Sequence, residues 1–337
     1  MYSSNKLLFS VMVILGTMIA IASQSWVSMW IGLEVNLLSM IPLLKANNNL
    51  YPAESAIKYF VTQALASAII LFSAMTSLNL SEFATQTFPL ETLIIMNSAL
   101  LTKVGAAPFH AWFPEVIEGL SWNTCLIMLT WQKIAPLILL IYNSKMTTFM
   151  CSVIIISAAT GSILGINQTS MRKIMAYSSI NHMSWMIASL LNSHSIWAIY
   201  FLSYTIMSAN IITILKTLKI FYLSQMFSSM NHNKLIKFFF VMNFLALGGL
   251  PPFLGFFPKW LVINSLVQNN FLSLGLIMIL FTLVTLFFYL RITFSTLVIK
   301  STEPPIQLNK INKFSIYFSN IVALTGLIAC TLIFNFL

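Results

Sequence analysis

The sequence contains no aspartate, two arginines (Arg172 and Arg291) and three cysteines, and its seven acidic residues are all glutamate. Charged residues make up 7% of 337 positions, against roughly a quarter in an ordinary soluble domain. With 58% apolar residues and a mean hydropathy of +0.89, no fold of this size could hide its apolar surface from water, because surface-to-volume scaling leaves many residues outside. Soluble folds are excluded. The net charge of +10 is nearly all lysine. The cations are scattered singly between apolar runs rather than clustered on a basic face, which argues against a nucleic-acid partner. Cys125, Cys151 and Cys330 stand alone in apolar segments and form neither a C-x-x-C pair nor an even-numbered framework, which argues against metal ligation and disulfides. The first arginine is Arg172, so no Arg-rich transit segment opens the chain, and the apolar run from Leu7 to about Ala22 reads as a retained first span. Abundant Phe, Ile, Asn, Met and Lys, with Asp absent, suggest AT-biased coding in an organelle genome.

The apolar runs are what the sequence does have. A spanning helix takes about 20 residues, leaving room for roughly 11 to 13 of them and no sizeable aqueous domain. Runs separated by polar or Pro/Gly-containing breaks predict an all-α polytopic membrane protein of eleven spans: 7–22, 26–44, 56–78, 90–108 with an extension to 120, 122–142, 147–165, 173–192, 196–222, 236–268 with a break, 271–299 and 314–336. Lys6, Lys45, Lys58, Arg172, Lys173, Lys216, Lys219, Lys234, Lys237, Lys300, Lys310 and Lys313 fall on the side of the amino terminus, against Lys145 with Glu82 and Glu91 on the other. Cytoplasm-equivalent loops hold the excess of Lys and Arg, so the amino terminus is expected on the negatively polarised side, the matrix side in a mitochondrion.

Two segments share a pattern. Pro108-Phe109-His110-Ala111-Trp112-Phe113-Pro114 and Pro252-Phe253-Leu254-Gly255-Phe256-Phe257-Pro258 both read P-F-x-x-aromatic-F-P. Proline inside a helix removes a backbone donor and clashes with the preceding turn, so each segment predicts a discontinuous helix. One lies in the fourth span and the other in the ninth. A shift of five spans reverses direction, which predicts two inverted five-helix repeats with broken helices near 103–114 and 248–259, an arrangement met in secondary transporters. The expected division is 1–145 for the first repeat, 146–300 for the second, and 301–337 for a loop and an appended last helix. The alternative is two ordinary proline kinks in a helical bundle.

The four cations left out of the charge tally, Lys103, Lys133, Lys259 and Arg291, lie inside proposed spans, as does the carboxylate of Glu34. A charge at mid-bilayer costs roughly 2.5–3.5 kcal/mol, and such residues mark ion or proton pathways. One carboxylate cannot neutralise three amines. Glu34 can support one neighbour, most plausibly Lys103, and the other lysines must be hydrated, deprotonated or transiently charged, the condition for a proton relay. Arg291 lies near the end of its span and reads as a snorkelling anchor; the same reading is open for Lys259. His110, in the first break, and His182, in Ser178-Ser179-Ile180-Asn181-His182, are either further relay groups or hydrogen-bonded structural residues. No metal-ligand spacing, phosphate-cradling loop or Ser/His/Asp constellation occurs. The available chemistry is proton or cation movement.

These residues carry a resemblance. Trp30-Ile31-Gly32-Leu33-Glu34-Val35-Asn36, Lys58-Tyr59-Phe60, Leu101-Thr102-Lys103-Val104-Gly105-Ala106-Ala107-Pro108-Phe109-His110, Thr130-Trp131-Gln132-Lys133-Ile134-Ala135-Pro136, Ala176-Tyr177-Ser178-Ser179-Ile180-Asn181-His182 and Gly248-Gly249-Leu250-Pro251-Pro252-Phe253 together resemble the antiporter-like membrane subunits of respiratory complex I, NADH:ubiquinone oxidoreductase, in their shortened animal form. The resemblance implies an inner mitochondrial membrane location and a central polar axis crossing the membrane plane. It also implies a Glu34–Lys103 pair, Lys133 as central lysine and Lys259 as its second-repeat counterpart. It implies that NADH, FMN, iron–sulfur clusters and ubiquinone bind other subunits, with no cofactor or redox site in this chain. Partners would be neighbouring antiporter-like and small membrane subunits and lipids, one subunit covering the flank left by three missing amino-terminal helices. A stand-alone cation/proton antiporter and a structural membrane-arm scaffold remain competing readings.

Overall fold

The computed structural model describes residues 2–45, 50–81, 90–144, 146–230, 234–251, 253–298 and 320. Among them the chain is helical, and seven helices are long and apolar enough to cross a membrane. The expected last span, 314–336, lies outside the described residues, as do Lys145, Lys300, Lys310, Lys313, Glu82 and Cys330. The chain divides into two compact units, Met1–Val153 and Ile154–Leu337.

The first unit begins with α1 (Tyr2–Ala22) and α2 (Trp26–Leu44). Ser25 starts α2 as an extended N-cap whose hydroxyl accepts from the Ser28 amide at 3.3 Å, satisfying a donor that the first turn leaves free. Small residues let α1 and α2 approach closely: a Cβ on Gly32 would lie 2.4 Å from the Ala20 nitrogen, and one on Gly16 2.8 Å from the Asn36 nitrogen. Membrane helices pack through such small residues because lipid supplies no hydrophobic drive between them. The buried face of α2 runs through Met29, Leu33, Asn36, Leu37, Met40 and Leu44, the three-and-four spacing of a helical stripe. Next come α3 (Leu50–Ser81), α4 (Leu90–Val104) and α5 (Trp112–Gly119). Met96, Leu100 and Lys103 share the buried stripe of α4, so helical spacing itself turns a lysine inward.

The expected 122–142 span is interrupted. It consists of α6 (Trp122–Leu129), a single 3-10 turn (Trp131–Lys133) and α7 (Ile134–Tyr142). The cause is Pro136, which has no N–H to offer the carbonyl of Gln132, four residues earlier. Lys133 closes the turn through its amide, 3.3 Å from the Thr130 carbonyl. A stretch of 3-10 geometry inside a helix often marks a functional site.

The chain passes into the second unit within α8 (Thr147–Ile166), followed by α9 (Met171–Leu190) and α10 (His194–Leu218). Although α9 is buried almost end to end, its core includes Ser178, Ser179, Asn181, His182, Ser184 and Ser189. That polarity keeps it out of the seven apolar spans. Lys219 caps α10 in the left-handed region (φ 54°), ending it before the expected 222. A short α11 (Leu223–Ser229), not foreseen from the sequence, precedes α12 (Lys234–Gly248), α13 (Phe256–Gln268) and α14 (Leu272–Val298).

Candidate functional site

Both proline-aromatic segments break a helix, and both breaks are built alike. At the end of α4 the Gly105 amide donates to the Thr102 carbonyl at 3.2 Å and the Ala106 amide to the Leu101 carbonyl at 3.1 Å. At the end of α12 the Gly249 amide donates to Ala246 at 2.9 Å and the Leu250 amide to Leu245 at 3.4 Å. Each pair of bonds is a Schellman cap, which needs a left-handed residue after the helix, and Gly105 and Gly249 both have φ +80°. Helix ends carry four unsatisfied carbonyls and the negative pole of the helix dipole. Inside a membrane those carbonyls require protein partners.

The two breaks find them differently. In the second unit the Lys259 ammonium, reaching back from α13, donates to the carbonyls of Leu247 at 3.1 Å and Gly248 at 2.9 Å. Lys259 is 7% exposed, so it is a buried helix-end partner and not a residue snorkelling to the interface. In the first unit the indole of Trp112 donates to the Thr102 carbonyl at 3.1 Å, and the Gln63 amide to the Lys103 carbonyl at 3.4 Å. Lys103, in the last turn of α4, is 7% exposed and lines the space beyond.

That space is a cavity of about 20 Å³ lined by Lys103, Lys133, Asn36, Gln63 and Gln132, with Phe113 among its apolar walls. About 10–15 Å³ suffices for a water, provided two to four polar partners surround it. Lys133 is 1% exposed, and its ammonium lies 5.3 Å from the centroid of the Phe113 ring, within the range of cation–π attraction. Gln132, next to Lys133, donates from Nε2 to Asn36 Oδ1 at 2.9 Å. Two of the lysines singled out in the sequence therefore share one enclosed space.

Glu34 is not in direct contact with Lys103. Lys58 pairs with Glu115 at 2.8 Å and with Glu54 at 3.0 Å. The Glu34 carboxylate does not reach the Lys103 ammonium as an ion pair. The reason lies in α2: Leu33, Asn36, Leu37 and Met40 form the buried stripe, and Glu34, one step around the helix from Leu33, is half-buried at its edge. His110 sits half-buried in the first break and does not line the cavity. In the second unit His182 is buried, its Nδ1 2.9 Å from the Tyr200 hydroxyl and its ring 5.2 Å from that of Tyr204. The neighbouring Asn181 donates to Thr285 at 3.2 Å. Arg291 is exposed and donates to the Ile166 carbonyl at 3.4 Å. Among the described residues no group of three or more His, Cys, Asp or Glu is arranged to hold a metal ion.

Sequence reasoning missed the uncharged part of this site. Asn36, Gln63 and Gln132 carry no charge; nearness to Glu34 and Lys133 in the sequence hinted at a role for Asn36 and Gln132, and nothing did for Gln63. It used Lys58 only in the charge tally that sets orientation. Lys58 lies within α3 and joins it to α5 through Glu115, a link that only the Glu54–Lys58 spacing of four residues could have suggested.

A polytopic helical membrane chain with matched broken helices and lysines buried beside them belongs to the class of ion-translocating membrane subunits. Residues 23–288 match the family described as NADH:quinone oxidoreductase/Mrp antiporter, transmembrane, and the chain belongs to that family. It is 45% identical over 333 residues to NADH-ubiquinone oxidoreductase chain 2 of Anopheles gambiae, covering 97% of each chain. In structure it resembles a chain of respiratory complex I from Thermus thermophilus (TM-score 0.84, 22% identity, 95% of this chain and 77% of that one). It also resembles a chain of the Mrp complex from Dietzia sp. DQ12-45-1b (TM-score 0.80, 13% identity, 96% and 75%). These two likenesses establish the fold.

Proposed function

We propose that this chain is a core membrane-arm subunit of mitochondrial NADH:ubiquinone oxidoreductase that moves protons from matrix to intermembrane space, driven by quinone reduction elsewhere in the complex. It would reside in the inner mitochondrial membrane with its amino terminus in the matrix, among neighbouring antiporter-like and small membrane subunits and lipid. NADH, FMN, iron–sulfur clusters and ubiquinone would be held by those other subunits. The observation that carries the proton reading is the cavity shared by Lys103 and Lys133. Enclosing two lysines in one membrane-embedded space costs several kcal/mol, which a purely structural core would avoid with apolar residues.

In this reading Glu34 supports the ammonium of Lys103 from the edge of α2. When that support is withdrawn, Lys103 Nζ releases a proton to a water in the cavity, and the water passes a proton to Lys133 Nζ. Lys259 is the relay group of the second repeat, held at a half-helix end. His110 and His182 are secondary candidates for the relay. The repeats would run 1–145 and 146–300 in inverted orientation, followed by 301–337; the two Schellman caps at matching places in the proline motifs support this division.

Lys133→Met and Glu34→Gln in the assembled complex test the relay. Each is expected to leave assembly intact and to lower NADH-driven proton uptake into vesicles by about tenfold or more, as for loss of a proton-transfer group. Proton uptake per NADH equal to that of the unaltered complex would establish a scaffold instead. Proton exchange for another cation by the isolated chain would establish an antiporter.

A further inference from the structure

Beyond the four charged groups, we propose that the Asn36–Gln132 amide pair is the positioning element of the passage between Lys103 and Lys133, holding a water there in a fixed orientation. The inference rests on the relay reading above and adds residues to it that carry no charge.

Three observations carry it. First, both amides line the same small cavity as both lysines, so whatever occupies it lies beside all four. Second, the bond from Gln132 Nε2 to Asn36 Oδ1, at 2.9 Å, fixes which way each amide faces. An amide offers two N–H donors and a carbonyl acceptor, so the pair retains the Asn36 Nδ2 donors and the Gln132 Oε1 acceptor for a third molecule. The cavity has the volume of about one water, and a water needs two to four polar partners to stay. Asn36 Nδ2, Gln132 Oε1 and the two lysines, one as ammonium and one as amine, supply them. A water that accepts from an amide and donates to another keeps one lone pair and one proton for the lysines, the arrangement needed to accept a proton on one side and release one on the other. An amide does not itself titrate, so the pair orients the carrier without trapping the proton.

Third, the bond joins the two elements whose relative position matters most. Asn36 lies two residues from Glu34 on α2, and Gln132 precedes Lys133 in the 3-10 turn where Pro136 has interrupted the helix. A displacement of α2 that carries Glu34 away from Lys103 also pulls on the turn bearing Lys133. The competing explanation is that the bond merely ties α2 to that turn, as polar side chains do between many membrane helices.

The test uses the complete complex in vesicles. Asn36→Leu and Gln132→Met keep size and remove the bond. Either variant is expected to lower NADH-driven proton uptake by roughly tenfold, the scale of a misplaced reacting group, with complex content on native gels unchanged and the solvent deuterium isotope effect on coupled turnover increased. The two together are expected to cost no more than one alone, because they act as a unit. The exchanged pair, Asn36→Gln with Gln132→Asn, is expected to recover a large part of the uptake. If Asn36→Leu fails to assemble, Gln132→Glu keeps the size and an acceptor but loses the donor, and carries the same expectation. Loss of complex content in proportion to turnover, with the isotope effect unchanged, would reduce the pair to structural glue. Lys133→Met separates the two levels: if it abolishes uptake while the amide variants do not alter it, only this inference fails. If Lys133→Met changes nothing, the relay reading fails with it.

Discussion

Replacing Gly249 by alanine tests whether Lys259 is held by the end of α12. Two costs add at this position. The backbone is left-handed, φ +80°, which disfavours a residue with a Cβ by roughly 1–2 kcal/mol. The new methyl would also lie 2.8 Å from Lys259 Cδ and 3.0 Å from its Nζ, so the end of that side chain must shift, at the expense of its bonds to the Leu247 and Gly248 carbonyls. Hydrogen bonds to a charged group contribute about 1.5–3 kcal/mol each, though the freed ammonium recovers part of this elsewhere. The expected total is about 3–5 kcal/mol.

Gly105 supplies the matched control. It has the same φ, but its Cβ would meet Phe113 at 3.1 Å and no lysine, so Gly105→Ala should cost the strain, about 1–2 kcal/mol, and a small shift of Phe113, with no ammonium displaced. Gly248→Ala should be neutral or slightly stabilising, since its Cβ finds nothing nearer than 3.7 Å and alanine favours a helix by up to about 1 kcal/mol over glycine. The assay is thermal inactivation of the assembled complex together with amide hydrogen exchange across the second break. In a Lys259→Met background the Gly249→Ala penalty should shrink to the strain alone. Equal penalties for Gly249→Ala and Gly105→Ala, or a penalty unchanged in that background, would refute the helix-end argument.

Two further outcomes follow from the packing. Glu115→Gln breaks the ion pair between α3 and α5, but Lys58 and Glu115 are both exposed, and exposed pairs contribute little; thermal stability should be unchanged at high and at low ionic strength. Tyr200→Phe removes the 2.9 Å contact with His182 and should destabilise the complex by about 1 kcal/mol, the scale of a side-chain hydrogen bond between membrane helices, with the cost lost in a His182→Phe background.

The spans and breaks were legible because a bilayer leaves the chain few options: every backbone group must be satisfied within a helix, so apolar runs become helices and Pro-Phe segments interrupt them. Lys103 and Lys259 were legible for the same reason, a charge standing out in an apolar run. Two things were not. The turn at 131–133 depends on a missing N–H four residues downstream, at Pro136, in a stretch whose hydropathy reads as one continuous span. The Asn36–Gln132 bond joins residues far apart in the chain and involves no charge. Glu34 lies between: its charge marked it, and its half-burial follows from its place beside Leu33, one step off the stripe of α2.

The divergence of the two breaks shows what each unit has to solve. Aligned on their proline motifs, Gly105 corresponds to Gly249 and Glu115 to Lys259, so one position of the repeat bears opposite charges. In the second unit the buried ammonium crosses the break and occupies the carbonyls at the end of α12. In the first unit the corresponding carboxylate faces outward to Lys58, and neutral donors from Trp112 and Gln63 serve the end of α4. The first solution leaves the Lys103 side chain available to the cavity it shares with Lys133, whereas the second commits Lys259 to a helix terminus. Identical backbone breaks therefore place their lysines under different constraints. Gly249→Ala should disturb the second unit's lysine directly, whereas Gly105→Ala meets Phe113 and reaches the first unit's lysines only through that ring.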